Sequence, residues 1–160
     1  MAGDALMKRR TFIRGAAVAF TGTSLGARGQ ALGLAGAQDI TPLIEKVTGG
    51  RKPERRGIQL EIPPLAENGN SVPTRIRIES PMTAQDHVTA VHIFAERNPR
   101  PHVATFHLGP QSGRAEISTR IRLAGTQNVT IVAALSGDRF LMTETQVLVT
   151  AAACLDETAG

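Results

Sequence analysis

Val72-Pro73-Thr74-Arg75-Ile76-Arg77-Ile78-Glu79 alternates apolar with polar or charged residues. A period of two puts Val72, Ile76 and Ile78 on one face of a strand and Arg75, Arg77 and Glu79 on the other. Ile58, Leu60 and Ile62 upstream alternate in the same way, as do segments 88–94, 103–108, 115–123, 129–135 and 140–149 downstream. The breaks between them carry turn chemistry: Glu67-Asn68-Gly69-Asn70, Asn98-Pro99-Arg100-Pro101, Gly109-Pro110, Gly125-Thr126 and Ser136-Gly137-Asp138.

About seven short strands at this spacing predict an all-β domain, an antiparallel sandwich of immunoglobulin type. One face of each sheet should be buried and the other wet or covered by a partner. With no Trp, no Tyr and five Phe, the core must rest on Ile, Val, Leu and the few phenylalanines. A second cysteine is absent, so the sandwich is built without an inter-sheet disulfide. A short helix is expected ahead of the strands. Thr41 can cap it, Pro42 suits its first position, Ile40, Leu43, Ile44 and Val47 make an apolar stripe, and Gly49-Gly50 stops it.

The chain opens differently. Lys8-Arg9-Arg10-Thr11-Phe12-Ile13 leads into a weakly apolar run ending in small residues, the order of a cleavable targeting peptide. The Arg9-Arg10 pair selects the twin-arginine route, which exports folded proteins to the periplasm. The run is interrupted and well short of the ~20 residues a spanning helix needs. Ala35-Gly36-Ala37 offers cleavage before Gln38, with Ala27 and Ala31 as rivals. Residues 1–37 are therefore read as a removed leader, 38–150 as the sandwich domain, and 151–160 as a flexible C-terminal arm.

The leader holds five of the 18 basic residues and one of the 14 acidic ones, which leaves thirteen of each sign in a formally neutral mature chain. That balance argues against nucleic acid as a partner, and no other stretch is apolar enough for a membrane. The cluster Arg51, Lys52, Arg55 and Arg56 reads as a solvated linker face.

Motif chemistry is sparse. There is no G-x-S-x-G, the glycine pairs are too short to cradle phosphate, and the carboxylates are scattered. No cofactor is expected. His102 and His107 are an odd number of residues apart, as are His87 and His92, so on regular strands each pair points to opposite faces and no metal site is expected. What remains is the only cysteine, Cys154, on the arm. Alanines and acids surround it at a chain end, where burial is hard to achieve. It can link two chains by a disulfide or carry a cargo covalently, and the residues alone leave both open.

Several separated stretches, in order, carry a resemblance. They are Glu67-Asn68-Gly69-Asn70-Ser71-Val72-Pro73, Pro81-Met82-Thr83, Asn98-Pro99-Arg100-Pro101-His102-Val103-Ala104-Thr105-Phe106-His107, Ser118-Thr119-Arg120-Ile121-Arg122-Leu123-Ala124, and Val147-Leu148-Val149-Thr150 before the cysteine. From about Asp39 to Cys154 the chain resembles SoxY, the sulfur-carrier subunit of the periplasmic thiosulfate-oxidising Sox system. The resemblance implies a heterodimer with a SoxZ-like subunit, exported together with it. It also implies that Cys154 is not catalytic: it holds sulfur as a thiosulfonate or persulfide while cytochrome, hydrolase and dehydrogenase partners act on it. Typical members place glycines on both sides of the cysteine. Here Ala151-Ala152-Ala153 precede it and Leu155, Asp156 and Glu157 follow, so the arm is expected to be stiffer and more acidic. The alternative is a scaffold of the same kind that serves as an interaction module with an inert or disulfide-forming cysteine.

Overall fold

The stretch 72–79 forms the middle strand of a three-stranded sheet, and its alternation is literal. Val72, Thr74, Ile76 and Ile78 are buried, while Pro73 and Arg75 between them are exposed. The computed structural model describes residues 36–152. Arg9, Arg10 and most of the leader lie outside them, as do Cys154 and the arm beyond Ala152. Among the described residues, helix α1 (Thr41–Thr48) is followed by β1 (Ile58–Glu61), β2 (Leu65–Ala66), β3 (Val72–Ile78), β4 (Val88–Ala95), β5 (His102–His107), β6 (Glu116–Ile121), β7 (Gln127–Leu135) and β8 (Arg139–Val149). They build an immunoglobulin-like sandwich with sheet orders β1-β3-β6 and β2-β8-β7-β4-β5.

All seven expected strands are present. The additional one, β2, is two residues long and pairs in parallel with β8, Leu65 opposite Leu148 and Ala66 opposite Val149. Two residues are too few to show a period, so only the tertiary pairing reveals it.

The core between the sheets is aliphatic. Val72, Ile76 and Ile78 from β3 and Ile117 and Ile121 from β6 meet Val91 and Ile93 from β4 and Val129 and Ile131 from β7. Each such side chain contributes about 1.5–3 kcal/mol by leaving water. Thr74 is admitted to this interior because its hydroxyl donates to the Val72 carbonyl at 3.3 Å.

The expectation of one buried face per sheet holds for the smaller sheet and is too simple for the larger one. β4 and β7 are buried on both faces, with Phe94 and Val132 inaccessible on the side away from the core. The chain supplies part of its own cover. The Gln38 amide donates to the Glu96 carbonyl at 2.8 Å, and Ile40, Ile44 and Thr48 share a groove of about 420 Å³ with Thr130 and Met142 on this outer face.

Thr41 is inside α1 rather than capping it. Its amide donates to the Asp39 carboxylate at 2.9 Å, because with only Ile40 between them the Asp39 side chain can fold over the first helical amide as an Asx turn. Bonding to the Thr41 side chain and then to its amide lowers the Asp39 pKa. Gly49 ends the helix with φ 62°, a left-handed value that glycine adopts without a Cβ penalty.

The basic cluster is solvated as expected but is not a free linker. Glu54 bridges onto β8, its amide donating to the Phe140 carbonyl while its own carbonyl accepts from Met142, both at 2.8 Å. Arg51, Arg55 and Arg56 pair at the surface with Asp138, Glu144 and Glu54, each pair worth about 0–1 kcal/mol.

Candidate functional site

The described chain delivers the C-terminal arm from one end of the larger sheet, and that end is pinned. At Val149 the backbone is bracketed by the Thr126 hydroxyl, which accepts from its amide at 3.0 Å and donates to its carbonyl at 3.5 Å. The Thr150 amide donates to the Ala66 carbonyl at 3.1 Å, and its hydroxyl to the Glu67 carbonyl at 3.0 Å. The Gly69 amide then donates to Ala151 at 2.8 Å, and the Gly69 carbonyl accepts from Leu123 at 2.8 Å. The Glu67-Asn68-Gly69-Asn70 turn thus grips the root of the arm. Ala151 and Ala152 are exposed beyond it.

Two large apolar side chains stand in water beside this root. Leu65 is 52% and Leu148 49% exposed, and they are direct partners in the β2–β8 pairing.

Thr150→Val keeps the shape and deletes the hydroxyl bond, a loss of about 1 kcal/mol. The Gly69 amide is expected to exchange with solvent about fivefold faster in that variant. Unchanged protection would show that β2 alone holds the root.

Behind the root lies a buried polar knot that the sequence presents only as turn residues. Asn98, 5% exposed, donates from Nδ2 to the Arg122 carbonyl at 2.9 Å. Its Oδ1 accepts from the Ala124 amide at 3.0 Å and from Gln127 Nε2 at 3.1 Å. Gln127, 2% exposed, also accepts from the Arg97 amide at 2.8 Å and donates to the Gly125 carbonyl at 3.2 Å. The two amides tie the β4–β5 turn to the β6–β7 connection, and Gln127 faces Val147 on β8.

The histidines depart from expectation. Between Ile93 and Phe94 the β4–β5 register slips, so that Ala104 opposes Ile93 while His102 opposes Phe94. Val103 is the extra residue of a bulge, and it turns His102 onto the face that carries Thr105. His92 opposes Thr105 directly. His92 Nδ1 lies 3.4 Å from His102 Nε2, and both nitrogens reach Thr105 Oγ1, at 3.1 and 2.9 Å. The His102 ring stacks on the buried Phe94 ring with centroids 4.8 Å apart. Odd spacing would separate His102 from this group only on a regular strand. His87 stands apart and donates from Nδ1 to the Thr83 carbonyl at 3.0 Å.

Burial first, and then the charges of His102 and His107, hold the His92 imidazole below its ordinary value of 6.5. The fold therefore favours neutral His92, whereas the unfolded chain takes up a proton near 6.5. The resulting stabilisation is complete above that value, declines as pH falls from 6.5 to the lower folded pKa, and levels off beneath it. An NMR titration of His92 should give a midpoint below 6.5; a midpoint at or above it would contradict the burial argument.

The outer face of the smaller sheet is a charge lattice, Arg75 and Arg77 against Glu61 and Glu116 at 2.8 to 3.8 Å. A groove of about 720 Å³ opens beside it, lined by Pro63, Pro73 and Arg120 among others. Among the described residues, no helix is long and apolar enough to cross a membrane, and no three His, Cys, Asp or Glu side chains gather as a metal-binding group.

The family model "Sulfur oxidation protein SoxY" matches residues 44–154. The sulfur carrier protein SoxY from Chlorobium limicola f thiosulfatophilum is similar in structure, with TM-score 0.57 and 28% identity over 68% of this chain and 89% of that one. A superoxide reductase (neelaredoxin) from Ignicoccus hospitalis has TM-score 0.53 at 11% identity, covering 60% and 82% of the two chains. The superoxide reductase from Nanoarchaeum equitans has TM-score 0.51 at 12% identity, covering 60% and 100%. These two share the fold alone. A search of curated proteins finds no match.

Proposed function

Because this chain belongs to the SoxY family, we propose that it is a covalent sulfur carrier whose attachment point is Cys154. One observation carries the reading: the family match runs to residue 154, which is the cysteine, and leaves out the six residues after it. The pinned root adds a physical reason. An arm that leaves a rigid sandwich edge presents its thiol to successive partners at high effective concentration, without diffusion of the cargo.

The chemistry asked of Cys154 is modest. Loading joins its sulfur to the outer sulfur of thiosulfate and releases one proton and two electrons to a cytochrome partner. Water then removes sulfate at a hydrolase, which leaves a persulfide and one further proton. A dehydrogenase partner oxidises the remaining sulfur. The carrier supplies a thiolate and a tether, and the thiolate is the form that bonds to sulfur. In this reading the protein is not itself an enzyme. It works in the periplasm as a heterodimer with a SoxZ-like subunit, exported folded through the Arg9-Arg10 signal.

The test is the intact mass of the protein purified natively from the periplasm of cells growing on reduced sulfur, before and after reductant. A reductant-labile increment in units of sulfur or thiosulfate, mapped to Cys154, is the expected result. A bare thiol or a clean disulfide-linked dimer would overturn the carrier reading and favour the interaction module.

A further inference from the structure

We propose that His92, Thr105 and His102 form a binding site for a borderline divalent cation, zinc above all, on the outer face of β4 and β5. The site is separate from the arm and independent of the carrier reading. Its donors are two imidazole nitrogens 3.4 Å apart and a hydroxyl oxygen 3.1 and 2.9 Å from them. A tetrahedral zinc with Zn–N bonds of about 2.05 Å holds two nitrogens about 3.35 Å apart. Adjacent positions of a square-planar copper(II) ion would draw them to about 2.9 Å. The observed separation therefore matches the zinc bite with the rings where they stand.

The third donor is also placed to serve. A point about 2.05 Å from all three atoms lies about 0.9 Å out of their plane, with the hydroxyl only about 98° and 90° from the His92 and His102 nitrogens, so it is the weaker donor and must draw back a few tenths of an ångström to complete a tetrahedral set. The fourth position stays open to water or to an incoming ligand, the arrangement of zinc sites that do more than brace a fold.

Three features hold the donors in place. The β4–β5 bulge turns His102 onto the donor face, and the buried Phe94 ring stacks against the His102 imidazole and limits its rotation. His92 and Thr105 are fixed as direct cross-strand partners. Two neutral imidazoles suit a borderline cation better than calcium or magnesium, which prefer oxygen ligands. His102 is exposed, so the ion can enter from solvent.

The test is calorimetric titration of zinc chloride into the full chain, free of any histidine tag and carrying Cys154→Ser so that the thiol cannot compete. One equivalent is expected to bind, with the ring resonances of His92 and His102 shifting and those of His87 staying still. In His102→Ala, an exposed substitution that leaves the core intact, the binding should disappear. Thr105→Val should weaken it about tenfold. Absence of binding in the parent, undiminished binding in His102→Ala, or ring shifts confined to His87 would each overturn the site. Unchanged affinity in Thr105→Val would overturn the hydroxyl's place as third donor.

Discussion

Cys154→Ser is expected to remove every reductant-labile mass increment from protein taken out of sulfur-oxidising cells, and to halt growth that depends on thiosulfate oxidation. The effect is all or none because the sequence holds no second cysteine and a hydroxyl neither forms a persulfide nor exchanges with one. Its melting temperature should match that of the parent, since serine differs from cysteine by a single atom and the residue's sequence neighbours are alanines, Leu155 and acids. Mass spectrometry and a thermal scan on the same preparation check both halves. Persistent loading with a normal melt would place the cargo elsewhere. A collapsed melt would mean that the cysteine is structural, which favours the interaction-module alternative.

The second large effect concerns stability. Asn98→Ala should cost about 2–4 kcal/mol, because it takes partners from the Arg122 carbonyl, the Ala124 amide and Gln127 Nε2 at once, in a site nearly closed to water. Urea unfolding measures the cost, and Asn98→Asp separates its parts. The aspartate keeps both acceptor bonds but sets a carboxylate oxygen against the Arg122 carbonyl in a site nearly closed to water, so at neutral pH it should cost at least as much as alanine. A cost below about 0.5 kcal/mol for the alanine variant would show that water replaces the knot. Because Gln127 adjoins β8, loosening the knot should also raise amide exchange at Val149 and Thr150, ahead of global unfolding.

The fold was legible wherever burial follows a period of two. β3 reads correctly residue by residue, and the turns at Ser136-Gly137-Asp138 and Asn98-Pro99 fall between strands as their composition demands. β2 was invisible because two residues have no period, and the bond from Asp39 to the first helical amide was masked by Thr41, a residue type that itself caps helices. The outer face of the larger sheet was misjudged because 38–48 covers part of it, which turns alternation in β4 and β7 into continuous apolar runs such as 131–135. The histidine group escaped for a single reason: a bulge changes the parity of every residue beyond it, and nothing in Pro101-His102-Val103-Ala104 announces one. Cys154 stands out in the sequence as a candidate reactive group by its solitude and its neighbours, and its role as attachment point is a proposal that rests on the family. Export by Arg9-Arg10, like the cysteine itself, lies outside the described residues and rests on the sequence.

The bond from Gly69 to Ala151 sets a length. Only Ala152 and Ala153 separate that anchored residue from Cys154, and a chain extends by at most about 3.6 Å per residue, so three steps let the thiol stray no more than about 11 Å from the sandwich rim before its side chain is counted. An enzyme that serves such a carrier cannot keep its reactive centre at the bottom of a deep shaft. It must bring that centre close beneath its own surface and seat the rim, with Leu65 and Leu148 at the threshold, against the mouth. If Cys154 carries the cargo, the depth of a partner's entrance is thus limited by where this sheet stops, and a partner with a longer tunnel would be unable to use this chain whatever its chemistry.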